Sequence, residues 1–179
     1  MCAISVSCQL RTHSPLPGAA TCMGFEMLNV LVAQDPSVLT AGFNSENYTI
    51  PLNFTAYGPT SRMTSNNKEV ISILSTQPVT MNNHHSGVAP TAFYGNSKLT
   101  STFNVVSTNM DRDGKEFVST IEGKTLPIYS SQWYVSRFAR AARVTLIVVR
   151  LLIRTFTGTR RRYSSSGGRR RSSTTTQPV

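Results

Sequence analysis

Asp, Glu and Lys are all missing from residues 134–179, where the only charged type is arginine. The 11 arginines there give +11, whereas residues 1–133 carry 7 basic and 8 acidic groups, a balance of −1. The formal charge of +10 on the 179-residue chain therefore belongs to its last segment. A basic domain suggests a nucleic acid or an anionic membrane as partner, and the body of this chain does not have that character. Cysteine is scarce: Cys2, Cys8 and Cys22, with no C-x-x-C spacing. That set supplies neither a disulfide framework nor a zinc site. No apolar run approaches the ~20 residues of a membrane-spanning helix. The longest candidate, Val144 to Ile153, is interrupted by Arg150. The opening MCAISVSCQLRTHS lacks the basic start and long apolar centre of a secretory signal. Histidine is absent after His85. What is present is enough for a core, since 39% of the residues are hydrophobic and wholesale disorder has a poorer composition.

Residues 1–14 show no periodicity and are left unassigned. Between Met23 and Gln34, apolar groups at Met27, Leu28, Leu31 and Val32 form an amphipathic helical stripe. Asp35-Pro36 stops it, because proline disfavours helical geometry in the residue before it. Residues 37–68, rich in Asn, Ser, Thr and Gly, read as loop with short extended pieces. Lys68 to Leu74 suits a strand or a helix equally, and Asn82 to Pro90 reads as a loop. The clearest β signal is Phe103–Thr108, a turn pair at Asp113-Gly114, then Glu116–Ile121. Pro127–Trp133 suits a third strand, with Pro127 first, where a missing N–H is tolerated. After Trp133 the composition changes. Arg137, Arg140 and Arg143 recur every third residue and predict an amphipathic helix over 137–156. Residues 159–179 are low-complexity and predicted to be disordered.

Ala20-Thr21-Cys22-Met23-Gly24-Phe25-Glu26 joins a short extended piece to the first helix, the arrangement of a nucleophile elbow. A thiol at a helix N-terminus is biased toward thiolate, and the following N–H can help bind an oxyanion. Such a turn is crowded, which suits small neighbours such as Gly24. The same spacing also suits an inert buried cysteine.

Thr21-Cys22-Met23-Gly24-Phe25-Glu26-Met27-Leu28 resembles the nucleophile segment of the gamma-glutamyl hydrolases, in the class I glutamine amidotransferase-like superfamily. Further blocks match in order: Pro51-Leu52-Asn53-Phe54-Thr55, Ser61-Arg62-Met63, Met81-Asn82-Asn83-His84, Phe103–Asn109, Asp113–Gly123, Pro127-Ile128-Tyr129 and Gln132-Trp133. The resemblance covers residues 15–133. It implies an α/β fold, an incomplete flavodoxin-like sandwich, because family members place several strands before the elbow and only 21 residues precede Cys22 here. Residues 134–179 are expected to be a non-homologous, arginine-rich tail.

The resemblance further implies cleavage of gamma-glutamyl bonds in folate polyglutamates through a cysteine thioester, with no metal or cofactor. Cys22 matches the nucleophile, and the Met23 backbone N–H would be an oxyanion donor. His84 matches a histidine near the substrate, although a solvated loop histidine is the plainer reading, more so for His85. Asn47-Tyr48-Thr49 and Asn53-Phe54-Thr55 are glycosylation sequons, which accord with the lysosomal, vacuolar or secreted placement of family members. In the family, Gln-Trp is followed by His-Pro-Glu, the general acid/base and its orienting carboxylate. Here Tyr134-Val135-Ser136 follows Gln132-Trp133. A phenol ordinarily ionises near ~10 and is a poor proton acceptor at neutral pH. The expectation is an impaired or inactive homologue. A folate-binding pseudoenzyme and a basic-tailed binder of anionic surfaces are the alternatives; no specific nucleic acid and no membrane span are expected, and a homodimer is one possible assembly.

Overall fold

The computed structural model describes residues 18–65 and 67–135. The unassigned segment 1–14, the helix expected at 137–156 and the disordered stretch expected at 159–179 lie outside the described residues. The elements run β1 (Gly18–Thr21), α1 (Met23–Ala33), β2 (Leu39–Ile50), β3 (Asn53–Phe54), α2 (Lys68–Thr76), β4 (Thr80–Val88), α3 (Pro90–Gly95), α4 (Ser97–Thr102), β5 (Phe103–Met110), β6 (Glu116–Gly123), β7 (Ile128–Ser131) and β8 (Tyr134–Val135).

They form two sheets, ordered β1-β7-β6-β5-β3 and β2-β4-β8. In the first, β1 lies parallel to β7 and the other pairs are antiparallel. The fold is α/β, as the sequence leads one to expect, and the 103–121 region is the antiparallel hairpin that its β-branched runs predict. Gly114 takes φ 76° in the turn, which glycine adopts without steric cost. Strand β6 is buried on both faces. One face of the first sheet packs on α1, α3 and α4 around Phe25, Val88, Phe93, Leu99, Phe103 and Ile121. On the other, Phe117 of β6 meets Phe43 of β2 and His84 of β4.

Several expectations are corrected. Residues 39–50 form a twelve-residue strand rather than a loop, and 80–88 form its partner. Neither shows clean alternation, because the β2–β4 ladder contains register shifts between Ala41 and Ser45 and between Ser45 and Tyr48, and each shift breaks the period-2 pattern. Asn47 sits in the second irregularity with φ 46°. The ambiguous 68–74 segment is helical: Asn67 caps it by accepting from the Val70 amide at 3.2 Å, and Val70, Ile73 and Leu74 bury one face. In α1 the buried residues are Gly24, Phe25, Asn29 and Ala33, with Leu28 and Val32 at the margin. The expected stripe is displaced, with Met27 47% and Leu31 69% exposed. The helix stops as expected, with Gln34 in the left-handed conformation before Pro36. Pro127 falls just before β7 rather than at its first position. The residues that open the expected tail, Tyr134 and Val135, pair with Met81 and Thr80 of β4.

Candidate active site at the β1–α1 turn

Cys22 occupies the single position between β1 and α1, with φ 57° and ψ −119°. A side chain at positive φ is strained, and here neighbouring hydrogen bonds fix it. The Cys22 amide donates to the Ser131 carbonyl at 2.8 Å, and the Cys22 carbonyl accepts from Phe25 and Glu26. Ser130 Oγ donates to the Ala20 carbonyl at 2.8 Å. The elbow predicted from spacing is thus built into the parallel β1–β7 pair, where Thr21 is in register with Ser131. Met23 follows at the first helical position, where an amide has no intrahelical acceptor. Gly24 is not required by crowding: a Cβ there would lie 3.5 Å from Ala20 Cβ, an ordinary contact.

Gln132 follows Ser131 and reaches the first helix. Its side-chain amide donates to Glu26 Oε1 at 2.9 Å and its backbone N–H to the Ser119 carbonyl at 2.9 Å. Burial pushes the Glu26 carboxyl above its ordinary range, and the Gln132 bond partly opposes that. The next residue, Trp133, is buried and donates from Nε1 to Thr120 Oγ1 at 2.9 Å. Tyr134 then leaves the first sheet to pair with β4.

His84 is a buried strand residue of β4, 6% exposed, and not a loop histidine. Its ring packs edge-on against Phe117 at 4.8 Å. Nδ1 lies 2.9 Å from the Ser86 carbonyl, which can only accept, so Nδ1 carries the proton and Nε2 of the neutral ring is a bare acceptor. Burial pushes the imidazole below its ordinary pKa, against the Ser86 bond and the charge of Asp111. His85, next to it, is exposed and meets Glu46 at 2.6 Å. Asn47 and Asn53 are both exposed.

One cluster was not read from the sequence. Glu122 of β6 is fully buried and accepts from Arg62 Nε and from Tyr57 OH. Arg62 also bonds the carbonyls of Gly123 and Leu126 and lies over the Tyr129 ring. It ties the 57–64 loop to the β6–β7 connection. Ser61-Arg62-Met63 and Glu122-Gly123 stand among the matched blocks, but nothing in their spacing says that they meet. Among the described residues no group of three or more His, Cys, Asp or Glu side chains could hold a metal, and no helix is long and apolar enough to cross a membrane.

No protein-family model matches the chain. Gamma-glutamyl hydrolase B of Dictyostelium discoideum is 46% identical over 123 residues, covering 68% of this chain and 35% of its own length. Human gamma-glutamyl hydrolase is 40% identical over 120 residues, 66% of this chain and 36% of its own. The chain is a homologue of the gamma-glutamyl hydrolases. It spans roughly a third of the length of these relatives, as it does of the rat gamma-glutamyl hydrolase, with 39% identity over 37% of that protein. Among solved structures, a proposed GMP synthase component from Thermoplasma acidophilum aligns over 83% of this chain and 61% of its own, with TM-score 0.47 and 12% identity, a likeness too slight to argue from.

Proposed function

We propose that this chain carries the nucleophile region of a gamma-glutamyl hydrolase, acting on folate polyglutamates through a thioester at Cys22, and that it turns over poorly or not at all as it stands. The observation that carries the first half is the strained position of Cys22 at the β1–α1 turn, φ 57°, in a chain 46% identical to a gamma-glutamyl hydrolase over 123 residues. In this reading Cys22 Sγ, as thiolate, attacks the gamma-carbonyl carbon. The Met23 N–H stabilises the oxyanion, the C–N bond breaks as the amine takes up a proton, and water then hydrolyses the thioester.

The second half rests on the proton. Tyr134 stands after Gln132-Trp133, where the family resemblance calls for histidine. His84 is a poor substitute, since its neutral ring offers Nε2 as an acceptor and its burial disfavours the protonated form that could donate. The same two observations favour a second reading, a folate-binding protein without turnover. The exposure of Asn47 and Asn53 supports their use as glycan acceptors and, with it, passage through the secretory route toward a lysosomal, vacuolar or extracellular destination.

The test is substrate protection of the thiol. Pteroylpolyglutamate should slow alkylation of Cys22 by iodoacetamide, followed by mass spectrometry, while Cys2 and Cys8 react at unchanged rates. Equal rates at Cys22 with and without the folate would remove both readings.

A further inference from the structure

Three buried polar side chains on the inner face of the β2–β4 sheet leave an atom without a hydrogen-bond partner: Ser45 Oγ, Asn82 Oδ1 and His84 Nε2. Ser45 and Asn82 are fully buried and His84 is 6% exposed. Ser45 and His84 are directly paired across the strands, and Asn82 lies two residues before His84, so all three side chains leave the same face. Their exposed neighbours Asn44, Glu46, Asn83 and His85 occupy the other. Paired Cβ atoms stand about 4.5–5.5 Å apart and the next same-face neighbours about 7 Å, so the three side chains start as neighbours on that face. Phe43 and Phe117 pack beside His84.

The hydrogen-bonding inventory decides what fits. The Asn82 amide nitrogen is committed to the carbonyls of Tyr48 and Thr80, which orients Oδ1 as an acceptor. His84 donates from Nδ1 to Ser86, which leaves Nε2 an acceptor. Ser45 alone adds a donor. An anion would meet two lone pairs that cannot donate. A cation would be stripped of water with no carboxylate among the three to receive it. A neutral molecule with two donors and an acceptor satisfies all three atoms.

We propose that Ser45, Asn82 and His84 bind one ordered water molecule between the two sheets, which donates to Nε2 and Oδ1, accepts from the Ser45 hydroxyl, and locks His84 as the Nδ1–H tautomer.

The test is nitrogen-15 and water-selective NMR on the full chain. The imidazole spectrum should show His84 protonated at Nδ1 and bare at Nε2. A long-lived water should give cross-peaks to the His84 ring and the Ser45 methylene. Ser45→Ala together with Asn82→Leu should remove those cross-peaks while His84 keeps its contact to the Phe117 ring. A proton on Nε2, or no water cross-peak in the unmodified chain, would overturn the assignment, and that measurement stands even where the double variant fails to fold.

Discussion

At the scale of single residues, Cys22 is held in a conformation that only a fixed surrounding can impose, and its strain is separable from its chemistry. Cys22→Ala and Cys22→Gly both delete the thiol, but only glycine accepts φ 57° without steric conflict. Urea denaturation should find Cys22→Gly more stable than Cys22→Ala by about 1 kcal/mol; the reverse order would mean that the turn is relaxed. His84 gives a pH-dependent counterpart. Its folded-state pKa is lowered by burial, so the unfolded chain takes up the proton first. The stability it contributes is complete above the ordinary value of about 6.5 and is lost as pH falls below it. Denaturation midpoints at pH 7.5 and pH 5 should differ more for the unmodified chain than for His84→Gln, and equal differences would contradict a buried neutral ring.

At the scale of elements, legibility followed how much of an element's stability lies in its own pattern. The 103–121 hairpin was legible from β-branched runs around Asp113-Gly114, because that information is local. The elbow was legible for the same reason: a small residue pair, a cysteine and a helix that stops at Asp35-Pro36. Strands β2 and β4 were not, because Asn, Gly and Glu bring weak β preference and the irregular register breaks alternation; their partner across the ladder makes them strands. The α1 stripe was misplaced because Met27 and Leu31 are apolar yet lie opposite the sheet, whereas Asn29 is buried and bonds the Phe25 carbonyl within the helix. Phe25→Ala should therefore cost about 3–5 kcal/mol, and Met27→Ala or Leu31→Ala within about 0.5 kcal/mol of zero. Thermal unfolding of the three variants checks the order. Gly58→Ala should also destabilise, by about 1–3 kcal/mol, since a Cβ there would lie 2.7 Å from Phe54 and 2.9 Å from the Val106 carbonyl; an unchanged melting temperature would contradict that close packing.

At the scale of the whole molecule, the body carries the elbow and its hydrogen-bonded supports, while the proton-delivering residue expected after Gln132-Trp133 is replaced by tyrosine. The strand-to-helix turn at Cys22 and the matched blocks were legible; what could not be read was the partnership of Arg62 with Glu122, or the burial of His84, since each depends on which strands meet across the fold. The central claim is that Cys22 chemistry is present but starved of its acid/base group. The measurement is the rate of folate polyglutamate cleavage by the full chain, by the chain with Tyr134-Val135-Ser136 replaced by His-Pro-Glu, and by that variant with Cys22→Ala. The replacement should raise the rate by roughly 10²- to 10⁴-fold, the usual worth of a general acid/base, and Cys22→Ala should abolish the gain. Family-like turnover by the unmodified chain, lost on Cys22→Ala, would contradict that claim.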